Sequence, residues 1–242
     1  MLVLIVPGIL TMTLLSWMRR RVPDPSIYDP ATGGGAPTGT EPEPVSWWGQ
    51  ALGRGLPAEF FLYAAAVGLT TGGLVSYGVI SFHFTRQGLV AIPVVPVVFA
   101  LGMAAAAIAA LANGWLYDRV GPRVLLVLPL LVALVPPLTL GGNLGWALVG
   151  VLCWGAAGGL QDSTIKALVA DMVPAPRRAT AYGVFAAIQG LAALGGGAVV
   201  GALYDNSLAL LAPVVTVSQA LATAMLILVL VRRRPGRDPD RT

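Results

Sequence analysis

The chain is short of the residues with which a water-soluble enzyme covers its surface and builds its active site. Only 11% of its 242 residues are charged, and it has one cysteine, Cys153, and one histidine, His83. A single cysteine rules out an intrachain disulfide and a cysteine-built metal site, so Cys153 reads as a small packing residue in an apolar stretch. There is no GxSxG, no paired histidine and no phosphate-binding glycine loop, so no enzymatic reading has residues to carry it and no cofactor or metal is expected. The last apolar stretch contains no lysine, which removes a retinal-type Schiff base.

What the chain has instead is hydrocarbon. Hydrophobic residues make up 56% of it and the mean hydropathy is +0.79, the composition of a membrane protein. A membrane-crossing helix needs about 20 mostly apolar residues. Windows of that kind lie near 1–18, 58–82, 89–117, 122–140, 144–170, 178–204 and 207–231. None alternates with the period of a strand, so the expected fold is an all-α integral membrane protein of about seven transmembrane helices rather than a barrel.

Basic residues near helix ends are held on the cytoplasmic side. Arg19, Arg20, Arg21 and Arg54 lie in the first loop, Arg119 and Arg123 near 118–123, Arg177 and Arg178 near 171–178, and Arg232, Arg233, Arg234, Arg237 and Arg241 in the tail. The alternate loops hold only Arg86, and Lys166 lies inside a window. The N-terminus is therefore expected outside and the C-terminus in the cytoplasm. The net charge of +4 is spread over these short anchors rather than gathered on one face, which fits anionic lipid headgroups and not nucleic acid.

The organisation follows from the same windows. Residues 1–18 form a partial first span, with no basic segment before it and "RRR" after it, the reverse of a cleavable signal peptide. It reads as a helix whose beginning is missing. Residues 19–57 are a cytoplasmic linker. Its stretch 22–45 is rich in Pro, Gly and Thr and expected to be disordered, and Trp47, Trp48, Leu52 and Arg54 either form a short amphipathic segment or anchor the next span. Residues 58–231 form a six-helix bundle, and 232–242 a basic cytoplasmic tail.

Between the third and fourth windows stands "GWLYDRVGPR", Gly114 to Arg123. Each residue has a mechanical task. Gly114 lets a neighbouring backbone approach, Asp118 accepts hydrogen bonds at a helix N-terminus, Gly121 allows a positive-φ turn, and Arg119 and Arg123 hold the loop at the headgroups. This phrase resembles the signature cytoplasmic loop of the major facilitator superfamily of secondary transporters, roughly G-x-L-x-D-R-x-G-R-R, at Gly114, Leu116, Asp118, Arg119 and Gly121. Pro122 departs from the usual basic residue there. A second stretch, "QDSTIKALVADMVPAPRRATAYGVF" from Gln161 to Phe185, looks like the junction of the family's tenth and eleventh helices.

The resemblance implies twelve helices in two six-helix halves, each half made of two inverted three-helix repeats. The windows then correspond to the family's sixth to twelfth helices, that is, the C-terminal half with one extra N-terminal helix. The recurrence of Gly114-x-Leu-Tyr-Asp118 as Gly201-x-Leu-Tyr-Asp205 fits equivalent helix ends of the two repeats. The implied function is alternating-access transport of a small solute across a bacterial inner membrane, with Asp118 latching onto the missing N-terminal half and Arg177 and Arg178 at the entry of the helix that receives that half's loop. The rival reading is a fragment, or one subunit of a split transporter, that does nothing alone.

Candidate residues for the solute or a coupling proton are polar groups within the spans. Asp162 and Lys166 are four apart on one helix face, a spacing that suits an ion pair. They read as a gate or helix anchor, as a coupling pair, or as groups solvated at the interface. Tyr77, Gln161 and Gln189 are cavity candidates, with Thr70, Thr71, Ser76, Asn113, Ser218 and Gln219 as further polar residues. Gln189 equally suits an interhelical hydrogen bond. His83 reads as a solvated interfacial histidine, the glycines at 190, 195, 196, 197 and 201 as close-packing positions, and Pro93, Pro96, Pro136 and Pro137 as helix benders.

Overall fold

The computed structural model describes residues 12–18, 21, 55–174 and 177–232, with the backbone alone at 164–167, 170 and 171. Most of the linker with its paired tryptophans, residues 1–11 of the opening window, the tail beyond Arg232 and the Lys166 side chain lie outside the described residues. Residues 12–18 are helical, with the Arg21 guanidinium 5.3 Å from the Trp17 ring centroid. They belong to a separate unit, Met1–Val45, and the rest of the description concerns Ser46–Thr242.

Seven α-helices follow among the described residues: α1 Ala58–Gly73, α2 Tyr77–Arg86, α3 Val95–Val120, α4 Val127–Thr139, α5 Leu144–Met172, α6 Arg178–Asn206 and α7 Leu208–Arg232. No strand occurs among the described residues. Among the described residues five helical runs are long and apolar enough to cross a bilayer, and one of them, Ile92–Thr139, is 48 residues long. At about 1.5 Å per residue it is twice too long for a single crossing. It turns at Gly121, where φ is +70° and ψ −156°. Beyond that turn a 3₁₀ segment, Gly121–Leu126, leads into α4. α4 alone has 13 residues, about 20 Å, and the six residues of the tighter 3₁₀ winding supply most of the missing length.

The second window departs from expectation. It runs on to Arg86 and is broken at 74–76 into α1 and α2, with no proline at the break. A side chain at Gly73 would collide with the Gln219 amide of α7, and Ser76 restarts the helix by accepting a hydrogen bond from the Val79 amide at 3.4 Å. Pro93 and Pro96 bend nothing; both sit in the first turn of a helical segment, where the missing N–H costs least. Pro136 and Pro137 do lie inside α4, in its last turns.

Packing follows a pattern that maps onto itself when α1, α3 and α4 exchange with α5, α6 and α7. α1 packs on α6 and α7, α5 packs on α3 and α4, and α4 packs on α7. The first of these contacts in each set is backbone against backbone. A Cβ on Gly155 would fall on the Gly102 carbonyl oxygen and one on Gly159 on that of Ala106, while one on Gly196 would fall on that of Gly72. In hydrocarbon such close approach replaces the hydrophobic effect as the source of helix attraction.

Candidate functional site

Two apolar clusters divide the bundle along its helices. One gathers Phe60, Tyr63 and Val67 of α1 with Leu168, Met172, Ala181, Phe185, Leu226 and Val229. Phe185 stacks on Tyr63 with centroids 5.9 Å apart and meets Phe60 edge-on at 6.5 Å. The other gathers Ile80 and Phe84 of α2 with Val98, Val132, Val135, Val151, Val200, Leu211 and Val215.

Between the clusters, in residue order along α1, α5, α6 and α7, lies a layer of small and polar residues. Thr71 is its centre. Its hydroxyl donates to the Val67 carbonyl at 2.9 Å and accepts from Gln161 Nε2 at 2.7 Å and Gln189 Nε2 at 3.3 Å. Helices α1, α5 and α6 are thus joined through one hydroxyl. On the α7 side, Gln219, 2% exposed, donates to the Leu69 carbonyl at 3.3 Å and to Ser218 Oγ at 3.2 Å. Gln161 Oε1 and Gln219 Oε1 are buried with no hydrogen-bond partner among the described residues. Leaving such acceptors unmatched costs about 1–3 kcal/mol each, so this layer retains capacity to bind a polar group.

Of the three cavity candidates, Gln161 and Gln189 meet at Thr71, and Gln189 makes the interhelical hydrogen bond that was one of its two readings. Tyr77 lies elsewhere. Its hydroxyl donates to the Val95 carbonyl at 2.6 Å, and its ring packs 4.9 Å from Phe99 and 5.4 Å from Trp154. Thr71 was not singled out among the polar residues; the signal was a threonine pair followed directly by Gly72-Gly73 inside an apolar span. Asn113 is buried and donates to Ser163 Oγ at 2.8 Å, tying α3 to α5.

Asp162 is exposed on α5 and lines a hollow of about 270 Å³ with Leu74, Met103, Ala106, Trp154 and Gly158. No cation lies within ion-pair distance of it among the described residues, the Lys166 side chain being outside them.

At the motif loop, α3 runs two residues past Asp118, so Asp118 caps nothing. It stands exposed in the last turn of the helix, where a carboxylate meets the negative end of the dipole. Arg119 lies over the Trp115 ring, 3.9 Å from its centroid, and Arg123 is exposed. Gly121 takes the positive φ expected of it. Gly114 does not provide a close approach: a Cβ there would meet nothing within 4 Å, and the same holds at Gly190, Gly195, Gly197 and Gly201, leaving Gly196 alone of that series in tight contact. Arg177 donates to the Gly55 carbonyl at 2.7 Å and Arg178 to the Val173 carbonyl at 3.2 Å, which fastens the entry of α6.

His83 is a further correction. It is 2% exposed, with Nδ1 at 3.0 Å from the Tyr204 hydroxyl, and so joins α2 to the Leu-Tyr-Asp end of α6. The Tyr204 ring meets the imidazole edge-on with centroids 5.8 Å apart, a partner on another helix that no local sequence signal announces.

A family model described as "Major Facilitator Superfamily" matches residues 1–197 and, in a second match, 95–242. Uncharacterized proteins of Mycobacterium bovis and of Mycobacterium tuberculosis are each 42% identical over 231 residues, covering 96% of this chain and 54% of the relative. The chain spans about half the length of the curated relatives it matches. No solved structure matches it.

Proposed function

The chain belongs to the major facilitator superfamily and is a multi-pass membrane protein, and from that premise we propose that it supplies one six-helix half of a secondary transporter that moves a small solute by alternating access. The observation that carries this reading is the polar layer around Thr71, set between two apolar clusters at mid-helix. A bundle whose only task was to pack would gain nothing from two buried amide oxygens that have no partner among the described residues.

The second half is supplied by the gene's own upstream frame or by a separate chain; this is the reading of the match to half of each relative. The exchange pattern of the helix packing supports two inverted three-helix repeats, with the Leu-Tyr-Asp ends of α3 and α6 equivalent and on opposite membrane sides. The positive-inside bias puts Asp118 and the C-terminus in the cytoplasm of a bacterial inner membrane. Asp118 is placed to latch. Its carboxylate gains nothing from its own helix and gains most from the N-terminus of a helix in the second half. Arg177 offers the equivalent helix entry on this half. Gln161, Gln189 and Thr71 then contact the solute, and Asp162, next to Gln161 on α5, couples to a proton or to the solute itself.

The test is twofold. An upstream in-frame segment or neighbouring gene encoding five to six further spans with its own G-x-L-x-D-R-x-G loop is the expected finding, and a genome with neither overturns the half-transporter reading. In membrane vesicles holding both halves, Thr71→Val is expected to slow solute flux severalfold while the protein still inserts; unchanged flux removes the layer from the solute path.

A further inference from the structure

We infer that the hollow beside Asp162 binds a monovalent organic cation with a compact apolar body, an inference that rests on the transporter reading above and names its class of solute. Trp154, Gly158 and Asp162 recur every four residues along α5 and so lie in one stripe. All three line the hollow, whose remaining walls, Leu74 of the break and Met103, Ala106 and Ala110 of α3, are apolar. Trp154 and Asp162 are about 12 Å apart along the axis.

The middle of the stripe is kept empty. A Cβ at Gly158 would meet nothing within 4 Å, while Gly155 and Gly159 on either side are closed against α3. The hollow therefore presents a carboxylate at one end, an indole wall at the other and room between them, of about 270 Å³.

The chemistry selects the charge. A carboxylate among apolar walls in a membrane is costly until it is paired, and no arginine, lysine or histidine within the described residues reaches it. A ligand cation supplies that pairing, and the indole adds attraction for a positive group over its face, strongest for soft quaternary or tertiary ammonium groups. An anion meets repulsion from Asp162, and the Trp154 indole N–H is the one donor among the lining side chains. A neutral sugar finds that one donor and one acceptor. Trp154 is itself held by Tyr77 and Phe99, with centroids 5.4 Å and 6.1 Å away, so its ring stands ready without a ligand.

The test is equilibrium binding of radiolabelled benzyltrimethylammonium to the 242-residue chain in lipid nanodiscs, with phenylacetate and D-xylose as competitors. Saturable binding is expected that neither competitor displaces, weakened about tenfold or more by Asp162→Asn. Gly158→Leu, which fills open space and leaves the carboxylate in place, is expected to abolish it. Binding that survives both substitutions, or that phenylacetate displaces, overturns the inference. Binding that appears only in Lys166→Gln also overturns it, because Asp162 then belongs to an internal pair with Lys166. Flux in two-half vesicles separates the premise from the inference. Cation binding without flux of any solute removes the transporter reading, whereas flux of other solutes with no cation binding removes only the assignment of this hollow.

Discussion

At the scale of single residues, the bundle depends on a few positions where nothing larger fits and a few hydroxyls that serve several helices. Gly159 and Gly196 press on the carbonyl oxygens of Ala106 and Gly72, whereas Gly114 faces open space. Gly159→Val is therefore expected to destabilise the chain by about 1–3 kcal/mol through overpacking, while Gly114→Ala leaves it unchanged or up to about 1 kcal/mol more stable through helix propensity. Thermal unfolding in detergent measures both. Equal effects at the two sites would mean that the α3–α5 contact is not where the bundle is tight. Thr71→Val removes the shared acceptor of Gln161 and Gln189, and two interhelical hydrogen bonds at about 0.6 kcal/mol each predict a loss near 1 kcal/mol by the same measurement. The identities of Gln161 and Gln189 as inward-facing were legible because amides are rare in apolar spans. Their meeting point was not, because Thr71 lies 90 and 118 positions away in sequence. His83 fails for the same reason, its partner Tyr204 being 121 residues on.

At the scale of elements, hydropathy located every window of the described bundle to within a few residues, since a helix in lipid must satisfy its own backbone and so must be continuous and apolar. The break between α1 and α2 escaped because no proline marks it; Gly73, just before it, lies against Gln219 of α7. Gly121 shows the opposite case, a local requirement written in the sequence. With φ at +70° and ψ at −156° it lies where essentially only glycine is found and a side chain costs about 1–3 kcal/mol, so Gly121→Ala is expected to lower the unfolding temperature whereas Arg123→Ala, exposed two residues on, is not. Orientation is checked at this scale as well. With Cys153→Ala as background, single cysteines at Arg123 and at Asn143 are expected to react with a membrane-impermeant maleimide from opposite sides, Arg123→Cys from the cytoplasm. Reaction of both from one side would break the assigned order of crossings.

At the scale of the whole molecule, a polar layer lies between two apolar clusters, and the packing pattern exchanges α1, α3 and α4 with α5, α6 and α7; under the proposed function this is a body that rocks as a unit against a second half. Membership of the family was legible from the Gly114–Arg123 loop and the Gln161–Phe185 junction because those residues sit at membrane boundaries, where charge stands out against hydrocarbon. The solute was not, because a binding site is made by residues from several helices and only the fold assembles them. The latch is the central claim. It is tested most directly by solute flux in vesicles containing the chain with its second half, using benzyltrimethylammonium, phenylacetate and D-xylose so that cation, anion and neutral solute are each represented. At least one is expected to cross faster than into empty vesicles, and Asp118→Asn to slow it by about tenfold, the equivalent of about 1.4 kcal/mol. Flux of none of the three, or a rate indifferent to Asp118→Asn in a protein that still inserts, would contradict the account.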